Sequence, residues 1–356
     1  MKSWDAIIIG GGIMGVSLAL ELGKFMERIL VIDRGPAGRE ASYAAAGMLA
    51  AEDPELSPAL RDFARASVLL YPQFLEGLEN SGSGHVELSA AGTLYCAAPA
   101  ASGEPTLSAS RLAELQPGVD FPARGVVWLE ESWLDPRQLM AAALQSAERQ
   151  QVELRTDTVA VGIEIQQGKA TAVFTSQGSL AAGLVVNCCG AWAAEVGPLH
   201  IPVRPVKGQM LTVAAPHGLE LARVIRTPDV YLVPRGKGRI LIGATVEEAG
   251  FDKSVEPAAI QRLLRLAAEF IPALAGAPVL DSWAGLRPGT PDGLPILGES
   301  GIGNYYLCTG HFRNGILLAP ATAHVVSRLI CGITPDFDPI NFSFQRFARD
   351  PLPAIS

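Results

Sequence analysis

Residues 5–33 have the sequence DAIIIGGGIMGVSLALELGKFMERILVID, and this stretch decides the fold. The short apolar run 5–9 ends at a cluster of glycines, which is typical of a buried parallel strand. Apolar residues then recur at helical spacing over 14–27, and a second apolar run fills 29–32. A helix between two such runs predicts a βαβ unit with parallel strands.

The glycines of this stretch are spaced as Gly10-x-Gly12-x-x-Gly15, directly after the first strand and at the start of the helix. There Gly10 permits a tight turn, Gly12 lets the backbone approach a pyrophosphate, and Gly15 allows helix and strand to pack closely. Asp33, at the end of the second strand, can accept hydrogen bonds from both ribose hydroxyls. The pattern predicts a dinucleotide site with its phosphates at the helix N-terminus. It does not distinguish FAD from NAD, and it disfavours NADP because Asp33 would repel a 2′-phosphate, although Arg34 follows it.

Composition narrows the class of protein. Of 356 residues, 49% are hydrophobic and 18% charged, so the chain can bury large cores, and its length suits two domains. The net charge of −8 would repel a polyanion, and no nucleic-acid binding is predicted. Five scattered cysteines without a CxxC pair indicate a reducing compartment, so we expect a cytoplasmic protein. The five histidines have no metal-ligand spacing, and no apolar run is long enough for a transmembrane segment.

The rest of the chain alternates between two kinds of pattern. A Ser/Gly tract at 81–84 precedes short alternating strands, and similar strands return between 202 and 249. Asp135 and Pro136 are typical of the first positions of a helix that lies between these strand-rich regions. We predict an α/β fold, α+β overall, with an antiparallel-sheet domain inserted into a Rossmann-like domain. The predicted Rossmann-like domain comprises 1–69, 134–202 and 280–356, and the inserted domain comprises 70–133 and 203–279.

Five further motifs follow the glycine fingerprint in order. They are SYAAAGML (42–49), PVKGQML (205–211), VYLVPR (230–235), WAGLRPGTPDG (283–293) and GHFRNGILLAPAT (310–322). Together with GGGIMG and Asp33, they make the chain resemble the FAD-dependent D-amino acid oxidase superfamily over nearly its whole length. Within that superfamily the glycine oxidases are most similar. The resemblance implies that the Rossmann-like domain binds FAD and that the inserted domain binds the substrate.

The resemblance also implies roles for individual residues. Arg287 of the GLRP motif would bind the substrate carboxylate through paired charged hydrogen bonds, and the hydroxyl of Tyr231 would support it. Arg313 would lie at the substrate and the flavin, completing the catalytic set. The fingerprint and the resemblance together imply an FAD site formed by Gly10, Gly12, Ile13, Met14, Gly15, Asp33, Arg34, Ala41, Ser42, Ala46, Gly47, Met48, Val159, Gly190, His311, Phe312, Asn314, Gly315, Ile316 and Leu317.

The implied reaction is oxidation of a small amino acid or secondary amine of the glycine, sarcosine or D-amino acid type. A hydride leaves the α-carbon for flavin N5, and the imino acid then hydrolyses. Dioxygen or another acceptor would take the electrons. One alternative is a dehydrogenase of D-amino or imino acids that passes electrons to a quinone or a protein. Another is an FAD-binding module without turnover, which the intact Arg287, Tyr231 and Arg313 disfavour.

Three positions depart from related patterns. Val246 stands where glycine oxidases lead us to expect methionine, and Asp229 stands where we expect histidine, so the substrate is left open among small amino acids and secondary amines. Gly285 stands where relatives with covalent flavin carry a cysteine, which implies non-covalent FAD. The sequence leaves the oligomeric state open, and a homo-oligomer is compatible with it.

Overall fold

The computed structural model describes residues 3–97, 106–121 and 125–347, which form seven α-helices and seventeen strands. The helices are α1 (Ile13–Leu22), α2 (Ala41–Ala44), α3 (Pro58–Asn80), α4 (Ala109–Leu115), α5 (Pro136–Arg149), α6 (Pro257–Ala268) and α7 (Gly315–Ile330). The strands are β1 (Trp4–Ile9), β2 (Ile29–Ile32), β3 (Met48–Leu49), β4 (Thr93–Ala97), β5 (Gly125–Leu129), β6 (Ser132–Trp133), β7 (Glu153–Arg155), β8 (Ala160–Gln166), β9 (Lys169–Thr175), β10 (Gly178–Asn187), β11 (Arg204–Ala214), β12 (Val224–Arg226), β13 (Tyr231–Pro234), β14 (Arg239–Gly243), β15 (Val279–Gly289), β16 (Ile296–Glu299) and β17 (Tyr305–Thr309). None of these helices is long and apolar enough to cross a membrane.

The first sheet contains the predicted βαβ unit. Its strand order is β7-β2-β1-β10-β17-β16, and all of these neighbours are parallel except β16 and β17. In β1, residues 6–9 are buried because helices α1, α5 and α7 pack on one face of the sheet and strands β8 and β9 pack on the other. Strands β8 and β9 extend β10 as an antiparallel meander. The prediction of parallel β1 and β2 joined by α1 is confirmed.

The second sheet has the strand order β15-β11-β14-β13-β12-β4-β5. We predicted an antiparallel sheet, and five of its six pairs are antiparallel, but β4 and β12 are parallel. These two strands are far apart in the chain, so no hairpin forces them into opposite directions. The apolar side of α6 packs on this sheet and forms a second core with it.

The start of α5 and the end of α1 were both predicted from neighbouring residues, the first correctly and the second incorrectly. Asp135 caps α5 as predicted, because its Oδ1 accepts a hydrogen bond from the Arg137 amide at 2.9 Å. The helix predicted over 14–27 ends earlier, at Leu22, where Gly23 follows. The apolar residue that extended the predicted pattern, Phe25, lies outside the helix and is 48% exposed.

The domain bounds stay a prediction, and two elements cross them. The bound drawn at 69–70 falls inside α3, which runs on to Asn80 and packs against α7. The bound drawn at 279–280 assigns β15 to the Rossmann-like domain, but β15 pairs with β11 in the second sheet. Any division of the chain therefore has to treat α3 and β15 as whole elements.

Helix α7 contains Pro320, which interrupts the backbone hydrogen bonds of the helix. Side chains of α3 form hydrogen bonds with the backbone groups beside it. Pro320 has no amide hydrogen, so the carbonyl of Ile316 loses its partner within the helix. The buried hydroxyl of Tyr71 donates to that carbonyl. The next amide, of Ala321, donates to Ser67 Oγ at 3.2 Å. Two side chains of α3 thus hold the first turns of α7 in place.

We predict that Tyr71→Phe destabilises the protein without changing its fold. The substitution removes the donor and leaves a buried carbonyl unsatisfied, which costs about 1–3 kcal/mol. Urea unfolding of the variant and the wild type under identical conditions measures the loss. An unchanged unfolding midpoint would show that the hydroxyl of Tyr71 does not stabilise α7.

Candidate functional site

A cavity of about 940 Å³ lies between the carboxyl ends of the first sheet and one face of the second. Ile9, Ile32 and Thr309, the last residues of β1, β2 and β17, line one end of it. Tyr231 and Arg287 of the second sheet line the other end. Ligands of open parallel sheets bind outside the carboxyl ends of the strands, so the cavity lies where a dinucleotide is expected.

Close backbone contacts shape the nucleotide end. Gly10 has φ +110°, and a Cβ there would overlap the carbonyl of Cys188. A Cβ on Gly15 would overlap the carbonyl oxygen of Gly10, so this glycine permits α1 to pack directly against the loop. Asp33 fixes the same loop, because its Oδ2 accepts from the Gly11 amide at 2.8 Å. Burial raises the pKa of Asp33, and the backbone hydrogen bonds to its carboxylate oppose that effect.

Eighteen of the twenty predicted cofactor-binding residues line this cavity. The two exceptions are Gly15, which lies beneath Gly10, and Leu317, which is 2% exposed and packs in the hydrophobic core. Leu317 is therefore a core residue of α7 rather than part of the cavity wall. Val159 also lines the wall, and its backbone amide and carbonyl are hydrogen-bonded to Ser176. Ser42 accepts a hydrogen bond from the Ile13 amide at 2.9 Å and so holds the start of α1.

The N-terminus of α7 reaches the opposite wall of the cavity. The loop before it turns at Phe312, which has φ +46°, a strained value for a side chain other than glycine. His311 Nε2 lies 3.2 Å from Thr322 Oγ1, and burial lowers the pKa of this histidine to about 3. A neutral His311 supports the loop without adding charge, and the positive end of the α7 dipole faces the cavity.

Two side chains lie flat against glycines of neighbouring strands at the end of the cavity where the sequence predicts the substrate, which we call the substrate end. Arg287 of β15 lies over Gly208 of β11, where a Cβ would overlap its guanidinium. Tyr231 of β13 lies over Gly243 of β14 in the same way. The hydroxyl of Tyr231 lies beside the guanidinium of Arg287. The two glycines therefore make the space in which a cation and a hydroxyl meet at the cavity.

Burial shifts the pKa values of Arg287 and Tyr231 in opposite directions. It lowers the pKa of Arg287, and the nearby Tyr231 opposes that effect by favouring the charged guanidinium. Burial raises the pKa of the Tyr231 hydroxyl, which Arg287 opposes. At neutral pH the pair is a guanidinium cation beside a neutral phenol, an arrangement that suits a carboxylate ligand.

Arg313 lines the same cavity but is not hydrogen-bonded to Arg287 or Tyr231 in the described part of the chain. Its guanidinium, 42% exposed, pairs with Glu55 at 3.3 Å and with Asp53 at 3.8 Å. The structure thus brings two of the three predicted catalytic residues into contact and places the third in an ion pair at the rim.

Sequence reasoning missed several residues that line this wall or support it from behind. Arg226 is 5% exposed and pairs with Asp53 at 3.2 Å and with Glu131 at 3.1 Å. No motif marks this group, because its members come from three distant segments. Arg235 donates to the carbonyl of Ala46, and burial lowers its pKa to about 10. Arg235 is the last residue of the motif VYLVPR, and this position could have identified it from the sequence.

Comparisons with known proteins agree with this geometry. Residues 5–329 match the family described as DAO, FAD dependent oxidoreductase. The chain is 37% identical to the bifunctional protein ThiO/ThiG of Synechocystis over 99% of its own length, but it spans only 55% of that relative. It is 32% identical to a glycine oxidase of Pseudomonas putida, with 96% of this chain and 98% of that one covered. The crystal structure of glycine oxidase from Geobacillus kaustophilus superposes with a TM-score of 0.91, 31% identity and coverage of 97% and 99%.

The residues around the cavity fit FAD. The glycine loop provides bare backbone and a helix N-terminus for a pyrophosphate, and the carboxylate of Asp33 lies beside it for a ribose. The small residues Ala41, Ala46 and Gly47 leave a flat wall between these groups and the second sheet. The backbone of Gly10 and Gly12 and the start of α1 would hold the phosphates, and the N-terminus of α7 would face the flavin edge.

We predict that Gly15→Ala strongly reduces FAD retention, because the new methyl group would overlap the carbonyl of Gly10 and push α1 away from the loop. Gly23→Ala, at the other end of α1, is the matched control, since its nearest neighbour lies 3.4 Å from the new Cβ. Acid precipitation followed by absorbance of the released FAD measures the cofactor content. Equal FAD content in the two variants would contradict the assigned role of Gly15.

Proposed function

Because the chain belongs to the family of FAD-dependent oxidoreductases, we propose that it oxidises a small amino acid or secondary amine at the α-carbon. The observation that carries this proposal is the guanidinium of Arg287, which lies half-buried on Gly208 beside the hydroxyl of Tyr231. A fixed cation with a neutral donor is what binding of an amino acid carboxylate requires. The proposed product is an imino acid, which hydrolyses in water to an oxo acid and an amine or ammonia.

The hydrogen bonds of Arg287 determine which of its edges can bind the substrate. Its Nη1 donates to the carbonyls of Thr245, at 3.0 Å, and of Lys207, at 3.4 Å. These bonds hold the guanidinium in one plane and occupy both hydrogens of Nη1. The edge formed by Nε and Nη2 is the one that we assign to the two carboxylate oxygens, with Tyr231 as a further donor.

The chain's own contribution to the reaction is orientation. When bound, FAD accepts the hydride that leaves the α-carbon. Arg287 and Tyr231 fix the carboxylate, so the α-carbon of the substrate has only a narrow range of positions. Neither residue has to exchange a proton for this role. The nucleotide end of the cavity and the residues 311–316 would hold the flavin, and its attachment is proposed to be non-covalent because even a Cβ on Gly285 would overlap Ala44.

The relatives named as glycine oxidases support a small substrate. The cavity wall supports substrates other than glycine as well. Val246 is 69% exposed, and Asp229 is exposed at the same wall. Neither side chain closes the space beside Arg287 and Tyr231. We therefore propose that the enzyme accepts sarcosine, proline or a small D-amino acid as well as glycine. Dioxygen is the proposed electron acceptor.

The experiment that tests this function is a panel of amino acids added to the holoprotein without oxygen. Glycine, sarcosine, proline and D-alanine are expected to bleach the flavin absorbance, and L-glutamate serves as a bulky control. Admission of air should restore the absorbance with consumption of oxygen. A flavin that stays oxidised with every compound would contradict the proposal, and restoration only by an artificial acceptor would contradict the choice of dioxygen.

We predict that Arg287→Ala lowers kcat/KM by on the order of a hundredfold or more, since charged hydrogen bonds contribute roughly 1.5–3 kcal/mol each. Arg287→Lys should lie between alanine and the wild type, because it keeps the charge and loses the planar fork. The FAD content should stay near that of the wild type, because Arg287 is assigned to the substrate.

Arg239→Ala is the control for this series, because Arg239 is an exposed arginine of the same sheet. It should leave kcat/KM unchanged. If Arg287→Ala retains FAD and stays within about threefold of the wild type, the loss is only ~0.65 kcal/mol, less than one charged hydrogen bond, and the carboxylate is bound elsewhere.

A further inference from the structure

The segment 244–256 connects β14 to α6 and touches both ends of the cavity. At the substrate end, Ala244 and Val246 line the wall. Towards the nucleotide end, the ring of Phe251 stacks on that of Trp192 with centroids 5.3 Å apart. Beyond it, Lys253 pairs with Glu40 at 3.0 Å. One stretch of backbone therefore contacts the residues of both halves of the site.

Lys207 of β11 lies behind this segment with no exposed side-chain surface. Its Nζ is 2.9 Å from Asp252 Oδ2, 3.9 Å from Glu247 Oε2 and 3.7 Å from Glu256 Oε1. These three carboxylates belong to the segment or to its end. Their attraction raises the pKa of Lys207 against the effect of burial, and Asp252 has a lowered pKa to which Ser254 and Lys207 both contribute. The buried ammonium of Lys207 thus holds the segment 244–256 through three ion pairs.

The backbone of Lys207 connects this attachment to the substrate end. Its amide donates to the carbonyl of Glu247 at 2.9 Å, and the amide of Glu247 donates back at 3.0 Å. The carbonyls of Lys207 and Thr245, on the two sides of this bridge, are the acceptors that hold Arg287 Nη1. A shift of the segment would move one of these two carbonyls relative to the other and tilt the guanidinium.

Gln209, also buried, secures the same segment at neighbouring points. Its Nε2 donates to Glu247 Oε1 at 2.9 Å, and its Oε1 accepts from the Glu256 amide at 2.7 Å. Lys207 and Gln209 project from the same face of β11 because side chains alternate along a strand. Gly208, between them, faces the cavity. Strand β11 thus supports Arg287 of β15 on one face, through Gly208, and holds the segment 244–256 on the other.

We propose that Lys207 is a positioning residue for substrate binding, which orients Arg287 by clamping the segment 244–256 through Asp252, Glu247 and Glu256. This inference rests on the proposed function, since it assigns Arg287 to the substrate carboxylate. Without the ammonium, three carboxylates remain close together with no cation between them, and their repulsion loosens the segment. The guanidinium then loses its fixed plane, while the residues that line the nucleotide end keep their other contacts.

The test compares Lys207→Met with Asp252→Asn in the FAD-loaded protein. Acetate, a carboxylate without an amine, is the binding probe, and the change of the flavin spectrum on titration gives its Kd. We expect Lys207→Met to raise the Kd of acetate and the KM of the best amino acid by about tenfold or more, with kcat at saturation within about threefold. Asp252→Asn keeps shape and removes one of three charges, so a rise of about threefold is expected.

Glu248→Gln is the matched control. Glu248 lies in the same segment and pairs with Arg204 at 3.1 Å, but both side chains are more than half exposed. In the described part of the chain, the ion pairs of Lys207 involve Glu247, Asp252 and Glu256 rather than Glu248. Its substitution should change neither the Kd nor the KM, because exposed ion pairs contribute little. A general loss of stability would lower the melting temperature of any of these variants without changing the Kd of the folded fraction.

The outcomes separate this inference from the proposed function. If no amino acid reduces the wild-type flavin, the proposed function fails, whatever the variants do. If the wild type is reduced and binds acetate, but Lys207→Met binds acetate with an unchanged Kd, the inference is overturned. Should Lys207→Met fail to fold, Asp252→Asn decides, and an acetate Kd equal to that of Glu248→Gln overturns it.

Discussion

The substrate end of the site depends on one contact, between the guanidinium of Arg287 and the bare backbone of Gly208. A charge taken out of water is costly unless it is paired or hydrogen-bonded. Here the compensation comes from the carbonyls of Thr245 and Lys207 and from the hydroxyl of Tyr231. All of these groups belong to the second sheet or to the segment behind it. The second sheet therefore fixes a cation at the cavity. The free-energy cost of fixing it is offset by folding, before a substrate binds.

The nucleotide end depends on a different contact of the same kind. Gly10 and Gly15 bring a loop and a helix closer together than side chains would allow, which exposes backbone amides to a phosphate. The two ends are joined through the residues between them. Arg235 of the second sheet donates to the carbonyl of Ala46, on the wall that faces the cavity. Hydride transfer needs two reactants at a fixed separation, so the link between the sheets matters as much as either end.

What could be predicted from the sequence is what neighbouring residues determine. The unit β1-α1-β2 follows from the periodicity of 5–33, and Asp135 caps α5 through an amide two residues away. Helix α3 was missed because Pro72 and Gly77 interrupt its pattern, although packing against α7 stabilises it. The triad of Arg226, Asp53 and Glu131 joins residues 173 and 95 positions apart, so no local signal marks it. The motifs of the resemblance contain Arg287, Tyr231 and Gly208, but they did not reveal that Arg287 packs on Gly208 or that Tyr231 packs on Gly243.

The central claim is that Arg287 and Tyr231 hold the carboxylate of the substrate at the end of the cavity opposite the dinucleotide. A crystal structure of the FAD-bound protein with acetate tests it most directly. We predict both acetate oxygens within about 3 Å of the Nε–Nη2 edge of Arg287, and one of them within hydrogen-bonding distance of the Tyr231 hydroxyl. Acetate bound instead at Arg226 or Arg313, with the guanidinium of Arg287 unoccupied, would contradict the account.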